Sequence, residues 1–261
     1  MTTSDRSIFD AAIAAIDPHE MARKDLRKNL PKRFWKEVTV SPVEGGFSVM
    51  LDGRPVRTPT RRAFVLPQAV LTEQIAEEWR KVGEFLDPAE MPLTRIANAA
   101  LEGVVDRMQE TADDLAKYAG SDFLCYRATD PARLVERQKE AWNPVLDWAR
   151  EHQGWQFNLT EGFMHIAQPA ETRQAVQDAA RAITDPLELA ALHVATTLTG
   201  SAVLAFALRA GVFSAADIWA AAHVDEDVQM AIWGADDEAL ARRARRWSEF
   251  QAAATILIGK S

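Results

Sequence analysis

The 261-residue sequence has a single cysteine, Cys125, which excludes an intrachain disulfide and a cysteine-based zinc cluster and suits a reducing compartment. Its setting in SDFLCYRA, among Phe123, Leu124 and Tyr126, reads as a small buried hydrophobe rather than a nucleophile. Positive charge is in deficit: 30 lysines and arginines stand against 38 aspartates and glutamates. The clustered excess of cations that a phosphate backbone demands is therefore not expected, and nucleic-acid binding is disfavoured. Phosphate-cradling loops are missing as well. There is no G-x-x-x-x-G-K-[ST] and no G-x-G-x-x-G after a strand, which argues against nucleotide hydrolysis. Neither H-E-x-x-H nor a G-x-S-x-G elbow occurs, and the five histidines are scattered. The N-terminal stretch lacks a secretory h-region, and Asp5, Asp10, Asp17 and Glu20 do not suit an acid-poor transit peptide, so a cytoplasmic location is expected. One uncharged run, LAALHVATTLTGSAVLAFAL at 189–208, is long enough to span a bilayer. His193, Thr196, Thr197, Thr199, Gly200 and Ser201 dilute it. A helix over 187–210, buried on most sides, is expected in place of membrane insertion.

What is present is a core. Hydrophobic residues make up 48% of the chain, enough for one large domain or two modest ones. In RFWKEVTVSPVEGGFSVMLDGRPVRTPTRRAFVLP the period is alternating. Val38 and Val40, then Phe47, Val49 and Leu51, share faces, with Gly45-Gly46 and Asp52-Gly53 as turns. This predicts antiparallel β-structure over about 32–66, with Gly53 a structural residue. From Pro67 the pattern is helical, with Leu71, Ile75, Trp79 and Val82 at spacings of four, four and three. Trp79 is expected to pack that helix onto the rest of the protein. Further helices are predicted over about 94–108, 111–120, 131–152, 170–184, 187–210, 214–233 and 236–258, and residues 154–169 as an irregular connection or a short strand. The expected class is α+β. A polar, partly helical tail (1–31) precedes a small antiparallel β-domain with one helix (32–88) and a larger all-α domain (89–258).

The segment HVDEDVQMAIWG, 223–234, is the main candidate for function. Ser214 with Asp217 resembles a capping box and Gly234 is a natural helix end, so 215–233 reads as one helix. At 100° per residue Trp219, His223, Glu226, Met230 and Trp233 form a stripe, with Asp225 near the neighbouring apolar arc of Ile218, Ala222 and Ile232. Two readings stand side by side. The acids of a core-facing helix pair with an arginine from a neighbouring element, or an aromatic and methionine-rich face carries a central charge for a partner. A third uses His223, Glu226 and Asp227 in a metal-assisted hydrolase. Two basic clusters, Arg23 to Arg33 and Arg242, Arg243, Arg245 and Arg246, admit RNA binding. They read more simply as solvated faces, the second with i,i+4 pairing to Asp236, Asp237 and Glu238.

Six segments in one order carry a resemblance: RFWKEVTVSPVEGGFSVMLDGRPVRTP, the Glu78-Trp79 pair in IAEEWRKVG, MPLTRIANAA, SDFLCYRA, LVERQKEAWNPVLDWA and QMAIWG. Together they resemble the family of assembly chaperones for the alpha subunit of the F-type ATP synthase, from about Arg33 to the C-terminal helix. The resemblance implies a non-enzymatic, cofactor-free protein that holds the unassembled alpha subunit until it joins the beta subunit. It also implies a functional acid late in the chain. Glu226 matches it best, with Asp225 and Asp227 as rivals and Trp219, Met230 and Trp233 as apolar neighbours. Eukaryotic members act in mitochondria; this sequence suits a bacterial cytoplasmic one.

Overall fold

The computed structural model describes residues 30–259. The predicted tail lies outside the described residues up to residue 29, and with it Arg23, Lys24, Arg27 and Lys28. Strands β1 (Val38–Val43) and β2 (Gly46–Leu51) pair antiparallel, Val38 opposite Leu51 and Val40 opposite Val49, and β3 (Arg54–Pro55) extends the sheet. Between β2 and β3, Asp52 and Gly53 both take positive φ, 47° and 77°. Two successive left-handed residues are what a two-residue hairpin turn requires, and glycine meets the requirement without strain.

Helix α1 (Ala69–Lys81) covers the sheet with Leu71, Ile75 and Trp79. The Trp79 indole is buried 5.2 Å from that of Trp35. The residue before it reaches the other way. Glu78 accepts hydrogen bonds from the backbone N–H of Leu93 (2.7 Å) and Thr94 (2.8 Å) and from the Thr94 hydroxyl (2.7 Å). These are free amides of the first turn of α2 (Pro92–Glu102), whose own N-cap, Met91, offers no side-chain acceptor. Burial raises the Glu78 pKa, and its three donors oppose the shift.

The helical region continues with α3 (Met108–Lys117), α4 (Ala132–Gln153), α5 (Ala170–Arg181), α6 (Pro186–Thr199), α7 (Ala202–Arg209), α8 (Ala215–Ala222), α9 (Val224–Trp233) and α10 (Asp237–Ile258). Helix α6 is central, packed by α2, α3, α7 and α10. Buried apolar side chains form one cluster from Trp35 to Leu257, so sheet and helices share a core. The connection over 154–169 is irregular apart from one short strand, β5 (Thr160–Glu161), as the sequence allows; its parallel partner β4 (Tyr126–Arg127) is not foreseen.

The sequence pattern predicts eight helices from Pro67; the described residues hold ten, because two of them break. The predicted helix over 187–210 is buried as expected, yet it stops at Gly200 (φ 77°) and restarts with Ser201 as the N-cap of α7. Its physical reason lies 79 residues away in Asp122. The fully buried Asp122 carboxylate accepts from the Ser201 hydroxyl (2.8 Å), Val203 N–H (3.2 Å) and Leu124 N–H (3.3 Å), while Ser201 Oγ accepts from Leu204 N–H (3.0 Å). Burial still outweighs these donors and pushes the Asp122 carboxyl up to about 6. Nearby Cys125 is buried and its thiol is pushed up to about 12, chiefly by burial, which disfavours the thiolate. No helix among the described residues is long and apolar enough to cross a membrane.

Candidate partner-binding groove

Helix α8 opens at the capping box read from the sequence: Ser214 Oγ accepts from Asp217 N–H (3.1 Å) and Ser214 N–H donates to Asp217 Oδ2 (3.3 Å). The single helix expected over 215–233 is not found. It breaks at His223, whose φ and ψ of −122° and 18° leave the helical region. The cause is local. In an uninterrupted helix the amide of residue 223 would bond the carbonyl of residue 219. Here the His223 ring takes that carbonyl, Nδ1 to Trp219 O at 2.8 Å, and the His223 amide moves back to Ala220 O at 3.1 Å. An imidazole nitrogen facing a carbonyl must donate, so Nδ1 carries the proton. Burial lowers the His223 pKa and keeps the ring neutral.

The break corrects the predicted stripe. Trp219 is only 8% exposed, with the His223 ring tilted against it at 4.0 Å and with Trp247 and Phe250 at 5.4 and 5.1 Å. It belongs to the core that holds α8 against α10 and does not share a surface with Glu226. Glu226, Met230 and Trp233 remain together, three and four residues apart on α9, and line a groove of about 370 Å³ with Arg242, Arg243 and Arg246 of α10. Trp233 is 84% exposed.

The three acids of VDEDV divide. Asp225 accepts from Gln138 Nε2 (2.8 Å), whose own Oε1 accepts from Ala128 N–H (2.8 Å), and the buried Trp142 indole donates to Ala221 O (2.8 Å). Helix α4 thus anchors the chain on both sides of the break. Asp227 forms an ion pair with Arg243, the pairing to a neighbouring element that a core-facing helix calls for. Glu226 is exposed and has no hydrogen bond or ion pair among the described residues. His223, Glu226 and Asp227 are not gathered as the hydrolase reading needs, since the first holds a carbonyl and the third an arginine. Among the described residues no three His, Cys, Asp or Glu side chains are placed to share a metal ion.

The arginines are the part that sequence reasoning underrates. None of them pairs with Asp236, Asp237 or Glu238: Arg243 crosses to Asp227 and Arg246 Nη2 donates to Leu198 O at 2.7 Å. The available signal is the spacing of Ala239, Arg242, Arg243 and Arg246, which puts them on one face of α10. That α9 faces them is tertiary information.

The family model for the ATP12 chaperone protein matches residues 32–150, a stretch that ends before the groove. Protein atp12, mitochondrial, of Schizosaccharomyces pombe is 21% identical over 220 residues, 80% of this chain and 75% of the relative. Among solved structures, the Atu1473 protein of Agrobacterium tumefaciens is 43% identical, covering 95% of this chain and 93% of that one with a TM-score of 0.85. Atp12 of Paracoccus denitrificans is 37% identical over 87% of this chain and 97% of its own, with a TM-score of 0.80. Fold and likenesses agree on one class, an α+β chaperone. The chain belongs to the ATP12 chaperone family.

Proposed function

We propose that the protein is an ATP-independent assembly chaperone that holds the unassembled alpha subunit of the F-type ATP synthase until the beta subunit takes it over, in the bacterial cytoplasm. The observation that carries this reading is the exposed Trp233 beside Met230 and the uncommitted Glu226, on a chain of a chaperone family. A large exposed indole next to a thioether is characteristic of a contact surface, where aromatic anchors supply most of the binding energy. Glu226 sets the orientation. On binding, its carboxylate is removed from water and needs a donor, which an arginine, lysine or backbone N–H of the alpha subunit supplies. No catalytic step is assigned. A holdase needs a complementary surface and an affinity low enough to lose to the final partner.

Aggregation of purified alpha subunit, followed by light scattering, tests this. An equimolar amount of the full-length chain should suppress it without ATP, and beta subunit should release the captured chain. Undiminished aggregation, or suppression that appears only with ATP, would sink the reading.

A further inference from the structure

The α9–α10 groove is lined by five charged side chains, Glu226, Asp236, Arg242, Arg243 and Arg246, and Asp227 stands behind Arg243, outside the lining. Most are spent within the protein. Arg243 holds Asp227, Arg246 holds the Leu198 carbonyl, and Asp236 caps α10 by accepting from Ala239 N–H. Two are not. Glu226 on α9 and Arg242 on α10 are both exposed, and neither makes a hydrogen bond or ion pair among the described residues, with each other included. The groove therefore offers one free anion on one wall, one free cation on the other, and Met230 with Trp233 as its apolar lining. At about 370 Å³ it takes in a few side chains, with the rest of an occupant lying across its mouth.

We infer that the occupant is an amphipathic segment of a partner protein in which one basic and one acidic side chain flank an apolar anchor, the base meeting Glu226 and the acid meeting Arg242. This rests on reading the groove as the client-binding surface and names the chemistry that it accepts. Opposite charges placed across an apolar contact select by rejection as well as attraction, because a like charge brought to either wall is left desolvated and opposed. A surface built only for apolar chain would not discriminate in this way.

Three labelled peptides of about fifteen residues, long enough to form a helix on contact, test it against the full-length chain by fluorescence polarisation. They share a leucine-rich face and differ only in the flanking pair: Lys and Glu, Lys and Lys, or Glu and Glu. The unmodified protein should prefer the mixed peptide about fivefold, the scale of one partly screened ion pair. Arg242→Glu should move the preference to the Lys/Lys peptide and Glu226→Lys to the Glu/Glu peptide. Equal affinities for all three, uniform weakening in both variants, or a preference of the unmodified protein for Glu/Glu, which would mark α10 as a general anion site, each overturn the inference. So does a failure to bind any peptide while the alpha subunit is still captured. Charge-selective peptide binding without alpha-subunit capture supports the inference and removes the client named above.

Discussion

Between α6 and α7 the chain turns at Gly200 and Ser201; between α8 and α9 it turns at His223. Both turns interrupt a stretch whose composition favours continuous helix, and both involve a carboxylate at the start of the next helix. At the first turn Asp122 is sealed in the core, and its oxygens receive donors from Ser201, Val203 and Leu124. At the second, two of three carboxylates are bound internally and Glu226 is left to water. A break whose polar groups are satisfied serves the fold. One that redirects a helix and leaves a charge unspent beside an exposed indole is available to another molecule.

Removing Asp122 should have the largest effect. Asp122→Ala leaves two amides and a hydroxyl buried without their acceptor, and with the lost cap this costs about 3–5 kcal/mol, a large share of the stability of an ordinary domain. Urea unfolding that matches the parent protein would refute the structural role. Next comes the pH dependence of the same group. Its carboxyl titrates at about 6 in the folded chain against an ordinary aspartate value of 3.8, so the folded chain binds the proton more tightly. Stability tied to it is greatest below the lower value, falls as pH rises through the interval, and stays lowered by about 3 kcal/mol above it. Asp122→Asn should abolish that slope, and melts at stepped pH would show it.

His223 gives a smaller effect of opposite sign. Its folded pKa lies below the ordinary 6.5, so as pH falls the unfolded chain takes up the proton first and stability declines from about that pH downward. His223→Gln should flatten this limb at a cost of about 1 kcal/mol for the back-bond to Trp219; an unchanged limb would assign the acid sensitivity elsewhere. The smallest expected effect on folding is at Glu226. Glu226→Lys should melt within about 0.5 kcal/mol of the parent and yet capture alpha subunit poorly, with Glu226→Gln in between. Unfolding of both variants would place Glu226 with Asp122 instead of opposite it.

Local chemistry is legible in the sequence. The Asp52-Gly53 turn, the alternation of Val38 and Val40, the Ser214–Asp217 box and the helix end at Gly234 each depend on neighbours within a few residues, and each is found. What is not legible depends on distance or on a ring. Gly200 reads as one small residue in an apolar run because Asp122, which makes the break favourable, stands far upstream. His223 reads as a member of a stripe because nothing in its spacing reveals that its ring will take a backbone carbonyl. The groove is half legible for the same reason: Glu226, Met230 and Trp233 share a helix, whereas their facing arginines and the withdrawal of Trp219 into the core are set by how α10 packs.

Glu78 has a consequence for how the molecule loosens. It belongs to the helix that covers the sheet, yet it completes the first turn of a helix in the other region, and its neighbour Trp79 is packed against Trp35. The amides of Leu93 and Thr94 can meet solvent only when α1 lifts away, so their hydrogen exchange should follow the slow exchange of the sheet and not the fraying of a helix end. Sheet and bundle should then unfold as one cooperative unit, in a single transition. The groove between α9 and α10 is anchored to the same unit, because Arg246 on its wall holds the Leu198 carbonyl of α6 and Trp247 packs on Trp219, so a partner seated there meets a surface held by the core.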